Sequence, residues 1–173
     1  MEAITITKAD ISHLPVLRPL CIQTFTDTYA SKNTAANMQA YVADHFSEER
    51  LSKELQHPDM GYYLAWEGPN LIGYTKLNTG AAQTELQAGN GLEIERIYVL
   101  QSFQGRQTGR LLCEKAEEVA RVQGRPYIWL GAWDQNIKAI GFYERVGFVA
   151  FDRHVFVLGD DHQTDIMMKK MLS

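Results

Sequence analysis

The stretch that most constrains this chain runs from Leu92 to Gly109, LEIERIYVLQSFQGRQTG, and continues into RLLCEKAEEVARVQG. Its first half is a strand: Leu92, Ile94, Ile97 and Val99 favour extended backbone, with Glu93, Glu95 and Arg96 set among them. Its second half is an amphipathic helix, with Leu112, Ala116, Val119 and Ala120 on one face and Glu114, Lys115, Glu118 and Arg121 elsewhere. Gly124 stops that helix and Pro126 lies just beyond it. Between strand and helix sit Gln104, Gly105, Arg106, Gln107, Thr108 and Gly109. A helix start leaves N–H groups unpaired and carries partial positive charge, so it suits a phosphate. Arg106 and Arg110 add formal charge at the same place. An ordinary strand–turn–helix, in which the glycines only permit the turn, explains the same residues without a ligand. Neither G-x-G-x-x-G nor G-x-x-x-x-G-K-[ST] is present.

The rest of the chain supplies the frame. Its 173 residues fit one domain with an adequate core. Acidic residues outnumber basic ones, 21 to 17, and the net charge of −4 argues against a nucleic-acid partner. No apolar run reaches membrane-spanning length, and Met1-Glu2-Ala3 begins no signal peptide, so a cytoplasmic protein away from the membrane is expected. Cys21 and Cys113 fall in helical patterns and read as small buried apolar residues; the histidines are scattered, and no metal is expected. A monomer and a homodimer both remain open.

A first strand is expected over Glu2–Lys8, then a helix capped by Asp10 and running to Ala30, which Pro19 should kink or divide. Two short helices follow, one through Met38, Tyr41 and Val42, the next starting at Ser47. Gly68-Pro69-Asn70 joins two hairpin strands, Tyr62–Glu67 and Leu71–Asn78. Ala81–Gly91 is a polar connection. Tyr127–Trp133 is an apolar strand buried on both faces, Asn136–Arg145 a helix, and Phe148–Leu158 and Thr164–Leu172 the last strands. This order gives a mixed α/β sheet of the α+β type rather than a doubly wound one.

The loop 104–109 resembles the pyrophosphate loop of the GNAT N-acetyltransferases, [QR]-x-x-G-x-[GA], with Gln104 and Gly109 at its first and last positions and Gln107 where that pattern has its central glycine. A non-glycine residue there can still offer its N–H, at a cost if φ must be positive. Downstream, Asn136-Ile-Lys-Ala139-Ile-Gly-Phe142-Tyr143-Glu-Arg-Val-Gly147-Phe148 resembles the same family's N-x-x-A-x-x-F-Y-x-x-x-G-F at every specified position. The resemblance covers Ile4 to Leu172. It implies the GNAT fold, a mixed and mostly antiparallel sheet whose fourth and fifth strands splay apart and which helices flank, and it implies acetyl-CoA as cosubstrate. Thr24-Phe25-Thr26-Asp27-Thr28-Tyr29, Leu92–Val99, Ile128-Trp129-Leu130-Gly131 and His154 with the segment Gly159–Asp165 are similar to the bacterial PaiA-type spermidine/spermine N-acetyltransferases.

The reaction so implied is acetyl transfer to a primary amine, and its chemistry sets three demands. The amine must lose a proton, which for a lysine-like group at pH 7 costs roughly 4–5 kcal/mol. Glu93 and Glu95, two apart on a strand, project from one face and could take that proton or hold the acceptor's cationic ends; a solvated face with salt bridges is the plain alternative. The oxyanion needs donors, expected from the backbone N–H groups of Ile97, Tyr98 and Val99. The leaving thiolate needs a proton, and Tyr143 stands where the family places its general acid. Asn136, Lys138 and Arg145 join residues 104–110 as candidate contacts to the cosubstrate. Phe25, Asp27, Tyr29 and Asp134 join the two glutamates around the acceptor. A small polyamine is the first acceptor reading; a protein or peptide amine, or a non-catalytic CoA-binding regulator, are the alternatives.

Overall fold

Hairpins build most of the sheet. In the computed structural model, which describes residues 2–85 and 89–173, Met60–Glu67 (β2) and Asn70–Asn78 (β3) pair antiparallel through a turn at Gly68, whose φ of 58° suits glycine. Ile4–Lys8 (β1) adds antiparallel to β2, and Leu92–Val99 (β4) antiparallel to β3. Tyr127–Trp133 (β5) pairs antiparallel with Asp161–Met171 (β7), which pairs in turn with Val149–Leu158 (β6). The order is β1-β2-β3-β4-β5-β7-β6. β4 and β5 lie parallel but share only two register pairs, Leu92↔Ile128 and Glu93↔Trp129, and part beyond them.

Helices cover both faces. Leu14–Tyr29 (α1), Ala35–His45 (α2) and Glu48–Leu55 (α3) pack one face, where Leu17, Phe25, Met38, Phe46 and Leu51 meet Tyr62 and Tyr74. Thr108–Val122 (α4) and Ile137–Arg145 (α5) pack the other, where Cys113, Ala116, Ala120 and Tyr143 meet Ile94, Ile128 and Leu130. Both cysteines are buried and free, as the helical pattern suggests. Among the described residues no helix is long and apolar enough to cross a membrane.

Three features depart from expectation. Pro19 does not divide α1, which runs as one helix of 16 residues. Pro19 has no N–H to give the carbonyl of Pro15, so one hydrogen bond of the helix is forfeited, and the helix continues past it. Asp10 caps a 3₁₀ turn, Ile11–His13, that leads into α1 rather than α1 itself. The register of β3 on β4 shifts between Lys76↔Arg96 and Leu77↔Ile94, so Glu95 is an extra residue in a bulge. The expected 81–91 connection lies partly outside the described residues.

Candidate active site

Where β4 and β5 part, a cleft of about 1060 Å³ opens through the sheet. Ile97, Tyr98 and Val99 line one side, Leu130–Trp133 the other, and the loop to α4 closes one end. The amide of Leu100 donates to Ile72 O on the β3 side (2.9 Å). By strand alternation Tyr98 points that way too, and the amides of Ile97 and Val99 face the gap. Of the three amides expected to serve the oxyanion, those of Ile97 and Val99 open on the cleft and that of Tyr98 does not.

The loop is built from two left-handed residues. Gly105 has φ 78° and Gln107 φ 66°; Gln107 is the one non-glycine residue at positive φ among those described. It is the N-cap of α4, and its carbonyl accepts from Leu111 N at 3.0 Å. The sequence pattern has glycine at this place, and the backbone takes the glycine conformation regardless, at a cost of about 1–2 kcal/mol. Gln104 Nε2 donates to Val99 O (3.1 Å), fastening the loop to the strand end. Thr108 is buried with its Oγ1 unpartnered among the described residues, and it lines the cleft.

The two arginines separate. Arg110 lines the cleft and pairs with Glu114 (3.0 Å). Arg106 lies outside the cleft wall, 3.6 Å from Glu67 and stacked over Phe103.

The paired carboxylates also separate. Both lie on the α1–α3 face, since Asn78 Nδ2 reaches Glu93 Oε1 at 3.0 Å and Glu95 Oε1 at 3.2 Å. Only Glu95 lines the cleft. Its carboxylate meets the buried Lys76 Nζ at 2.9 Å and Arg96 Nη1 at 3.6 Å, and Lys76 also pairs with Glu54 at 3.2 Å. Burial alone would raise its pKa; Arg96 and Lys76 outweigh that and hold it below the usual range. Glu93 lies outside the cleft wall, with its oxygens taking the amide and hydroxyl of Thr84 as well as Asn78. Burial pushes its carboxyl up, against the pull of these hydrogen bonds.

Residues 23–148 match the Acetyltransferase (GNAT) family. The chain belongs to the GNAT family. It is 38% identical over 172 residues to an uncharacterized N-acetyltransferase of the pepI 3′ region of Lactobacillus delbrueckii subsp. lactis, covering 99% of each chain. Among solved structures it resembles the PaiA N-acetyltransferase of Thermoplasma acidophilum in complex with coenzyme A, with TM-score 0.81, 24% identity and coverage of 98% and 99%. It also resembles the ribosomal-protein-S18-alanine N-acetyltransferase of Escherichia coli, with TM-score 0.70, 17% identity and coverage of 99% and 95%. Both structural likenesses are of fold. As a GNAT protein the chain is an acetyl-CoA-dependent N-acetyltransferase.

The GNAT cleft suits that cosubstrate. The start of α4 with its free amides, the buried Thr108 hydroxyl, unpartnered among the described residues, and Arg110 meet at one end of it, a setting that favours anions. Lys138 and Arg145, both exposed, line the same cleft. Asn136 lines it too, but its Oδ1 accepts from Ala139 N (3.2 Å) to cap α5, leaving its amide nitrogen for a ligand. Tyr143 is buried against Phe142 and Phe148 and lines the cleft. Burial, then the nearby Cys113 and Tyr98, raise its hydroxyl well above 10, so it stays protonated.

At the acceptor end, Asp27 and Tyr29 line the cleft with Trp133. Phe25 instead stacks on Tyr41 in the core (4.2 Å between ring centres), and Asp134 is not among the residues that line the cleft. Sequence reasoning missed Lys76, Asn78, Thr84 and Asp165. Lys76 had a readable signal: a lone cation inside the apolar strand NLIGYTKLN needs a buried carboxylate. Asp165, in β7, stands opposite Trp133, and its Oδ2 lies 3.1 Å from where a Cβ on Gly131 would be.

Proposed function

We propose that the acceptor is a small polyamine, acetylated on a primary amine within a ternary complex. The observation that carries this is the pairing of aromatic faces with carboxylates at the acceptor end. Tyr29, Tyr98 and Trp133 line the cleft with Asp27, and Asp165 stands beside Gly131. Rings and carboxylates together suit alkylammonium groups. The fold likeness to the Thermoplasma acidophilum PaiA N-acetyltransferase supports the family and the coenzyme, and the PaiA-like sequence segments support the polyamine.

Acetyl-CoA, when bound, supplies an activated thioester. The loop 104–110 holds its phosphates, and the amides of Ile97 and Val99 receive charge on the carbonyl oxygen. Glu95 takes the amine's proton through water. Lys76 and Arg96 offset its charge, so the site does not trap the amine as an ammonium. Tyr143 protonates the departing thiolate.

The test is kcat/KM for spermine, spermidine, a monoamine of similar length and an N-terminal peptide, at low and high ionic strength. Polyamines should lead at low salt, and their advantage should shrink as salt screens the carboxylates. A monoamine or peptide that matches them at both salts sinks the polyamine reading.

A further inference from the structure

Glu93 and Trp129 are the last register pair before β4 and β5 part. Both side chains hold the same short segment. Thr84 donates to Glu93 through its amide (2.8 Å) and its hydroxyl. The neighbouring residue, Gln83, is buried, and its Oε1 accepts from Trp129 Nε1 at 2.7 Å. Upstream, Thr79 N is fixed to Asp59 O (2.9 Å). Downstream, Glu85 pairs with His154 Nδ1 on β6, whose Nε2 meets Asp152 at 2.8 Å. The segment thus crosses the acceptor face of the sheet from β4 towards β6, just below the fork. Asp165 feels the negative charge of Glu85.

From this arrangement we propose that Glu93 is a positioning residue. With Trp129 it clasps Gln83 and Thr84 across the fork, and so sets Glu85 beside His154 and its strand partner Asp165, which adjoins the cleft-lining Gly131 and Trp133. The proposal rests on the polyamine reading above, because it is the acceptor's distal ammonium that Glu85 and Asp165 would hold. Glu93 has little left for proton transfer: its carboxylate takes three donors and does not face the cleft. A buried carboxylate with that many partners orients what it holds.

The experiment compares Glu93→Gln with Thr84→Val, which removes one donor and leaves the glutamate in place. Steady-state kinetics with spermidine, and calorimetry with acetyl-CoA, are measured for each variant and for the double variant. A clasp gives both single variants the same signature. KM for spermidine rises roughly tenfold, as when one charge-assisted hydrogen bond is lost, and kcat stays within a few-fold. The double variant is no worse than the worse single one, since both break one linkage. Acetyl-CoA affinity, unchanged, reports an intact fold. A fall of roughly 100-fold or more in kcat for Glu93→Gln, with Thr84→Val near wild type, would make Glu93 the base and overturn the proposal. Two silent single variants overturn it as well. Should Glu93→Gln not fold, Thr84→Val alone decides: a silent Thr84→Val overturns the clasp. If the wild type does not favour polyamines over a monoamine, the acceptor reading has failed, and the shared KM signature is sought with the amine it does accept.

Discussion

Single residues here show where backbone, rather than side chain, carries function. Gln107 holds a left-handed conformation because the loop must present its amides at the start of α4. Gln107→Gly should retain acetyl-CoA affinity and thermal stability or raise both. Gln107→Val, with a β-branched side chain at positive φ, should lose about 1–2 kcal/mol and bind more weakly. Thermal unfolding and calorimetry check this; a glycine variant less stable than the valine one would contradict it. At Tyr143 the proposed proton donor is the hydroxyl instead. Tyr143→Phe keeps the packing against Phe142 and Phe148, so kcat should fall by about 10²–10⁴ while acetyl-CoA binding changes little. A variant within a few-fold of wild type would hand that proton to another donor. The positions of Tyr143, Asn136 and Gln104 were legible in the sequence because motif spacing fixes them on known elements. The division of labour between Glu93 and Glu95 was not: it depends on Thr84, Lys76 and Arg96, which reach the pair through tertiary packing and a bulge.

At the level of elements, most of the chain was legible. Alternation and helical periodicity gave the β2–β3 hairpin, α4 and β5 to within a few residues. The bulge at Glu95 was not, since a period of two cannot reveal an extra residue. It turns Glu95 and Arg96 towards the same side, where Arg96 stacks over Phe46 at 4.6 Å. Nor did composition separate Arg106 from Arg110. α4 begins beside the cleft, and a residue one turn into it can face a ligand, whereas Arg106 leans back to Glu67. Arg110→Ala should therefore weaken acetyl-CoA binding several-fold, about 0.5–1.5 kcal/mol, and Arg106→Ala much less. Calorimetry on both variants decides, and equal losses would mean that Arg106 swings over on binding.

Across the whole molecule, charge is arranged rather than merely summed. The buried Glu54–Lys76–Glu95–Arg96 group is balanced, two carboxylates against two cations, whereas Asp165 has His154 opposite it but Glu85 and Asp134 nearby. Burial, then Glu85 and Asp134, push the Asp165 carboxyl up from 3.8 to about 6. Because its folded pKa is the higher, the folded chain binds the extra proton between those values. Stability is therefore lost as pH rises through that window, and the full cost stands above it. Asp165→Asn should raise the melting temperature at pH 7 and leave it nearly unchanged below pH 4. An equal shift at both pH values would tie the effect to packing instead of charge.

The fork between β4 and β5 has one more consequence. Every open sheet has unpaired backbone edges at its rim, where another chain can add. This sheet also keeps two such edges inside itself, facing each other from Ile94–Val99 and Leu130–Trp133 across the cleft. Helices on both faces and the α4 loop at one end leave room for a slender thread but not for a second sheet. The molecule thus holds a template for strand addition that aggregation cannot reach.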